Sequence, residues 1–230
     1  TEKAGISSNT FGLGIAVADL NNDDYLDIYI GSDFQDPDFL YINQGNGTFK
    51  NELNDRTKHV STYSMGNDAV DINNDGLLDV ISLDMANQDH VASKMVAMST
   101  SEFMRIVKVG FHYQYMFNTL QLNNGNGTFS DVAQMAGIAK TDWSWSPVVA
   151  EFDIDGWKDI IITNGNRREL RDNDYLKKHT EKEARGVEYD PLKELKLLPT
   201  TKVQNHAYKN NSNLTFEKTT ESWGLSSPVN

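Results

Sequence analysis

The chain has 230 residues, a formal net charge of −12, 38% hydrophobic and 10% aromatic residues, and no cysteine. Its length suits one sizeable domain or two, and its composition suits a folded, loop-rich β protein rather than a disordered one. The acidity repels phosphate backbones and excludes nucleic acid as a partner, the missing cysteines exclude disulfides and thiolate metal sites, and no apolar run reaches the roughly 18 residues of a membrane helix.

The N-terminal Thr1-Glu2-Lys3-Ala4-Gly5-Ile6 is not a signal peptide and has no initiator Met, so the chain reads as a mature or excised piece of something longer. Phe11-Gly12 opens the first regular stretch, and Ile15-Ala16-Val17-Ala18 reads as a strand. It runs into Asp19-Leu20-Asn21-Asn22-Asp23-Asp24-Tyr25-Leu26-Asp27, and Ile28-Tyr29-Ile30 leaves on the other side. The same nine-residue stretch returns at Asp71–Asp79, followed by Val80-Ile81-Ser82-Leu83, and at Glu151–Asp159, followed by Ile160-Ile161-Ile162-Thr163.

Each copy puts oxygen-bearing side chains at positions 1, 3, 5 and 9, with Gly76 and Gly156 at position 6 of the second and third. Several hard oxygens plus a backbone carbonyl at position 7 suit Ca2+. The candidate ligands are Asp19, Asn21, Asp23, Asp27 and the Tyr25 carbonyl in loop one. In loop two they are Asp71, Asn73, Asp75, Asp79 and the Leu77 carbonyl, and in loop three Glu151, Asp153, Asp155, Asp159 and the Trp157 carbonyl. Up to three ions are expected. A single Asx-rich turn with Gly is also an ordinary solvated hairpin, but three copies in register favour the metal. An EF-hand is excluded because its position 12 is a bidentate Glu, where these copies carry Ile30, Ser82 and Ile162, and because its flanks are helices. Strand flanks disfavour a helical dockerin-type module as well. Asp24 replaces the position-6 Gly of loop one at some conformational cost.

A second motif follows each loop: Asn43-Gln44-Gly45-Asn46-Gly47-Thr48-Phe49, Asn123–Phe129, and a degraded Asn210–Phe216. Its Asn-Gly pair predicts a tight hairpin with both turn residues at positive φ, entered by strands Leu40-Tyr41-Ile42 and Leu120-Gln121-Leu122. A third recurring element is Ala4-Gly5-Ile6, Ala136-Gly137-Ile138 and Trp223-Gly224-Leu225. From Phe49 to Asp71 is 22 positions, as it is from Phe129 to Glu151; the loop-to-Phe distance varies as 22, 50 and 57. A period of about 50 residues carrying four strands predicts propeller blades, with the extra residues inserted in blades two and three.

In the first insert Ser99-Thr100-Ser101-Glu102 predicts a capped helix that stops at Gly110, followed by the aromatic cluster Phe111–Phe117. That cluster either packs the insert onto the blades or contacts a sugar or partner. The second insert is highly charged; Asp174–Arg185 predicts a solvated helix, Asp190–Leu198 a short one, and Arg167, Arg168 and Arg171 either clasp an acidic ligand or face water.

The ordered motifs resemble the FG-GAP/VCBS repeat family of β-propellers, the repeat type also seen in integrin α-subunit head domains. More narrowly, Asp84-Met85, Gln114–Gly125 and Thr141-Asp142-Trp143-Ser144-Trp145 resemble large bacterial VCBS-repeat proteins similar to cartilage acidic protein. The resemblance implies an all-β array, surface or secreted, in Bacteroidetes-type bacteria. Residues 1–10 read as the tail of a preceding blade, 11–64 as blade one, 65–142 as blade two with insert 87–118, and 143–230 as blade three with insert 166–202. Three blades cannot close a propeller, so further blades are expected outside this chain.

No G-x-S-x-G elbow, H-E-x-x-H or P-loop occurs, Gly12-Leu13-Gly14 lacks the rest of a dinucleotide fingerprint, and the five histidines show no ligand spacing. The expected function is a non-catalytic, calcium-binding module at the cell surface that binds protein or glycan. A propeller glycosidase or polysaccharide lyase is the rival expectation, and an accessory subunit of a bacterial outer-membrane surface complex is the third.

Overall fold

The computed structural model describes the chain except residues 9, 35, 167, 169–172, 187–189, 191, 192, 195, 197, 199–201 and 230. The protein is mostly β, built on three four-stranded antiparallel sheets. Sheet one takes β1 (Phe11–Ala18), β2 (Asp27–Asp33), β3 (Phe39–Asn43) and β4 (Phe49–Asn51) in that order. A short helix α1 (Leu53–Arg56) and strand β5 (Val60–Ser61) lead to sheet two. Sheet two holds β6 (Asn67–Val70) and β7 (Asp79–Ser82), then β9 (Thr119–Asn123) and β10 (Phe129–Asp131) after an excursion through α2 (His90–Met95), α3 (Thr100–Lys108) and β8 (Gln114–Tyr115). Helix α4 (Ala133–Ala136) precedes sheet three: β11 (Ser144–Ala150), β12 (Asp159–Asn164), then α5 (Asn173–Ala184) and β13 (Val203–Gln204), then β14 (His206–Asn210) and β15 (Phe216–Lys218). Strand β16 (Pro228–Val229) pairs back onto β13, and β5 pairs in parallel with β8.

The sheets stack through two apolar layers. Leu20, Tyr29, Leu40 and Ile42 of sheet one meet Val80 and Phe129 of sheet two. Ile72, Ile81 and Leu120 of sheet two meet Ile160, Ile162 and Tyr208 of sheet three. The first strands of successive sheets crowd together at one end, and glycine permits it. A Cβ on Gly14 would stand 2.6 Å from the Met65 carbonyl oxygen, and one on Gly66 would collide with the Trp145 carbonyl oxygen.

The strands anticipated around the three loops are all present. So is the capped helix: the Ser99 hydroxyl accepts the Glu102 N–H at 3.2 Å. The expected solvated helix is α5, which buries no residue. The expected helix at 190–198, Arg167 and Arg171 lie wholly or partly outside the described residues.

The hairpin motif differs from its expectation. Asn43 pairs with Phe49 across five turn residues, and positive φ falls at Gly45 (69°) and Gly47 (82°), not at Asn46. The Asn46 side chain instead accepts the Thr48 N–H at 3.0 Å and the Thr48 hydroxyl at 2.6 Å. An amide that closes the turn from inside has no need of the two-residue geometry. The third copy strains more, since Ser212 and Leu214 take the glycine positions at φ 61° and 65°. No described helix is long and apolar enough to cross a membrane.

Candidate metal centre

Each acidic loop joins the first and second strands of its sheet: β1 to β2, β6 to β7 and β11 to β12. In loop one the Asp19 carboxylate accepts N–H groups from Asn21 (3.3 Å), Asp23 (3.1 Å) and Asp24 (2.8 Å). Asn21 Oδ1 accepts the Asp23 N–H at 3.2 Å, and Asp23 Oδ1 accepts the Tyr25 N–H at 2.9 Å. Asn21 Nδ2 donates to Asp23 Oδ2 at 2.9 Å, so positions 3 and 5 touch.

Loop two repeats this pattern. Asp71 accepts from Asp75 (3.1 Å) and Gly76 (3.0 Å), Asn73 from Asp75 (3.1 Å), and Asp75 from Leu77 (2.9 Å), with Asn73 Nδ2 on Asp75 Oδ2 at 2.9 Å. Positions 4 and 6 of both loops are left-handed, with Asn22 at φ 59°, Asp24 at 67°, Asn74 at 57° and Gly76 at 86°. Asn, Asp and Gly adopt that conformation most cheaply, so each loop coils tightly enough to face its acceptors inward.

Position 9 plays a part that spacing alone did not reveal. Asp27, Asp79 and Asp159 are fully buried. One oxygen of each accepts the N–H of loop position 2: Leu20 at 3.0 Å, Ile72 at 3.0 Å and Phe152 at 3.1 Å. The other accepts the N–H of the first Asn of the hairpin motif: Asn43 at 2.8 Å, Asn123 at 2.8 Å and Asn210 at 2.9 Å. Burial pushes the Asp79 carboxyl up to about 6, against these two N–H bonds and helped by the charges of Asp75 and Asp71. Burial, then Asp23 and Asp19, raises Asp27 in the same way.

The hairpin asparagines then tie sheet to sheet. Asn123 Nδ2 donates to the Leu78 carbonyl in its own sheet and, at 3.0 Å, to the Leu20 carbonyl of loop one. Asn210 Nδ2 donates to the Lys158 carbonyl and, at 3.0 Å, to the Ile72 carbonyl of loop two. Asn43 donates to the Leu26 carbonyl at 3.0 Å, within its own sheet.

Loop three keeps the position-6 and position-7 bonds of its siblings and departs from them elsewhere. Glu151 Oε1 accepts the Gly156 N–H at 2.6 Å, and Asp155 Oδ1 accepts the Trp157 N–H at 2.9 Å. Position 4 is Ile154, a β-branched residue at φ 64° and 92% exposed, where the other loops use Asn. The Lys209 ammonium, reaching from β14, pairs with Asp153 Oδ2 and, at 2.9 Å, with Asp155 Oδ2. Contact with Asp153, then Asp155, raises the Lys209 pKa, and the Lys209 hydrogen bond holds the Asp155 carboxyl low. Ile42 and Leu122 stand at the matching position, one residue before the hairpin Asn.

The donor chemistry fits calcium in part. Loops one and two each bring two carboxylates and one amide together, all hard oxygen donors, while the position-9 carboxylate turns to backbone. Consistent with that division, no three His, Cys, Asp or Glu side chains gather at one point among the described residues. The N–H of position 7 is anchored to position 5 in every loop, which fixes the peptide whose carbonyl is the expected fifth ligand.

Outside the loops, a cleft of about 400 Å³ opens between α2, α3 and the β8 segment. Lys94, Lys140, Phe103, Tyr115 and Phe117 line it, with His90 at its edge and no Asp or Glu among its described walls. The Lys140 ammonium sits 5.4 Å over the Phe117 ring, and Phe103 stacks on Tyr115 at 5.3 Å. Asn87 Nδ2 is buried in this wall with no hydrogen-bond partner among the described residues. The aromatic cluster therefore both packs the excursion onto the sheets and leaves rings facing a cleft.

The histidines are structural or at the surface: His59 pairs with Asp131 at 2.8 Å, His206 with Asp142 at 3.1 Å, and His112 meets the Thr57 hydroxyl at 3.2 Å. Among the described residues, two buried carboxylates lie outside the loops. Asp38 accepts the Tyr29 hydroxyl at 2.5 Å and the Ser32 N–H at 2.9 Å; Asp84 accepts the Ser61 hydroxyl at 2.6 Å and the Thr62 N–H at 3.0 Å.

No curated protein is matched by the chain. A family model for the FG-GAP-like repeat matches residues 19–82 and 109–162. The first match runs from the start of loop one to the end of β7 and takes in loops one and two; the second runs from just before the aromatic segment into β12 and takes in loop three. With loops, strands and spacing all in that order, the chain belongs to the FG-GAP-like repeat family.

Proposed function

We propose that this chain is a calcium-stiffened, non-catalytic segment of a β-propeller, working outside the cytoplasm, whose basic aromatic cleft binds an acidic glycan. The metal reading is carried by one observation. Two loops 52 positions apart present the same inward-facing acceptors through the same hydrogen bonds, and in the third a lysine ammonium lies against the carboxylates of positions 3 and 5. This place in the loop is suited to a cation. Extracellular modules bind calcium with Kd of about 10⁻⁴–10⁻³ M, so loops with two carboxylates and an amide suffice there.

Further blades outside this chain are supported by what sheet one leaves open. Leu13, Ile15 and Val17, on one face of β1, are 54%, 63% and 54% exposed. The opposite face, through Ala16 and Ala18, is buried against sheet two. Among the described residues, Asn43 likewise makes only the first of the two bonds that Asn123 and Asn210 make. A preceding sheet of the same kind covers that face and supplies the missing carbonyl.

A catalytic role is disfavoured because Asp38 and Asp84, the acids buried outside the loops among the described residues, are turned onto hydroxyl and backbone donors. The acidic glycan is favoured by charge: in a chain of net charge −12, this cleft gathers two lysines and a histidine without a carboxylate. Its rings offer faces for sugar C–H groups.

Thermal unfolding of the purified chain tests the metal. Calcium should raise Tm by several degrees over chelator, and Asp75→Ala should cut that gain; equal Tm in calcium and chelator refutes it. Titration with oligogalacturonate tests the cleft. Binding should weaken at least tenfold in Lys94→Met/Lys140→Met and be absent for a neutral oligosaccharide; equal binding of the two sugars refutes it.

A further inference from the structure

We infer that Lys209 is the resident cation of loop three, so that the chain takes up two calcium ions rather than three. This rests on the calcium reading of loops one and two. Lys209 reaches across from β14 and pairs with the position-3 and position-5 carboxylates together, the two groups that an ion has to share. A tethered ammonium competes at a high effective concentration, because its strand is already locked into sheet three through the Tyr208–Lys218 and Ile160–Tyr208 pairs. An incoming dication must either evict it or settle beside a like charge, and both weaken binding.

The corresponding column of the fold shows why the other loops differ. Ile42 is buried in the layer between sheets one and two, and Leu122 packs against the layer between sheets two and three. Neither side chain carries charge or can reach an acidic loop as a donor. Only sheet three substitutes a long cation at this position. The remaining differences in loop three agree with a site released from metal geometry. Glu151 replaces the first Asp with a longer arm, and Ile154 holds a left-handed position that loops one and two give to Asn.

The test counts ions. Calcium titrated calorimetrically into the wild-type chain should give a stoichiometry of two, and into Lys209→Leu a stoichiometry of three. Terbium supplies a separate readout. Trp157 occupies position 7 of loop three, so Trp-sensitised terbium emission should be weak in wild type and rise severalfold in Lys209→Leu. Should that variant fold poorly, Asp155→Ala in the wild-type background serves instead, and its stoichiometry should stay at two. Three ions in wild type, two in a folded Lys209→Leu, or loss of an ion in Asp155→Ala each overturns the inference. No ion in either wild type or Lys209→Leu overturns the calcium reading itself, and this inference with it.

Discussion

Loops one and two differ from loop three in how they keep clustered acid from tearing a hairpin apart. All three share the fold of the turn, the left-handed positions and the buried ninth Asp. Among the described residues no lysine or arginine pairs with the central carboxylates of loops one and two, whereas Lys209 pairs with those of loop three. The repeat therefore keeps one loop geometry while the charge that faces it differs between copies. What the ninth Asp does is common to all three, because its oxygens hold the loop to the third strand of the sheet.

The sharpest way to break this comparison is at position 9. Asp79→Ala strands two buried N–H groups, and Asp159→Ala strands one buried and one part-buried N–H. At about 1–3 kcal/mol for each unsatisfied group, both variants should lose several kcal/mol in urea unfolding in chelator. Loss in one loop alone contradicts a shared role.

The next effect is calcium's own. At a hundredfold excess over Kd one bound ion adds about 2.7 kcal/mol. Asp23→Ala should forfeit one such increment, and Asp155→Ala should keep both, as read from unfolding midpoints with and without calcium.

Asp38 sharpens the contrast as a buried acid with neither ion nor lysine. Burial lifts its carboxyl to about 6, despite hydrogen bonds from Tyr29 and Ser32. Its folded pKa thus exceeds the unfolded value of 3.8. The folded state holds the proton between those values, so stability gained from this group grows as pH falls from above 6 toward 4. The slope is at most about 1.4 kcal/mol per pH unit for one proton. In chelator, Asp38→Asn should lie flatter than wild type across that window; parallel profiles argue against the shift.

The smallest effect is local. Ile154→Asn should stabilise by roughly 1 kcal/mol, because a β-branched residue in the left-handed region is costly and Asn is not. Asn74→Ile should lose a similar amount in loop two, and a neutral result for both removes position 4 from the comparison.

Much of the site was legible because its signals are local. A nine-residue motif with strands on both sides predicts its own hairpin, and the tolerance of Asp24 for positive φ follows from its short polar side chain. The capped helix behind Ser99 is local in the same way. The bonds that unite the loops are not: Asn210 reaches the Ile72 carbonyl across 138 positions, and Lys209 reaches Asp153 across 56. A trace of the second was present, since aligning the hairpin motifs sets Lys209 in a column with Ile42 and Leu122. A lone charge in an apolar column asks for a partner. The helix α2, the parallel β5–β8 pair and the cleft they border carried no such signal, because their residues lack a clear period of either kind.

By itself the sequence determined the repeat, the strands, the turns and the acidic loops, because backbone preference and donor spacing act within a few residues. Only the tertiary structure decided which acidic residues share a centre, which are spent on backbone N–H groups and which meet a lysine. Those outcomes depend on sheets stacking face to face, and stacking brings together side chains that spacing along the chain leaves far apart.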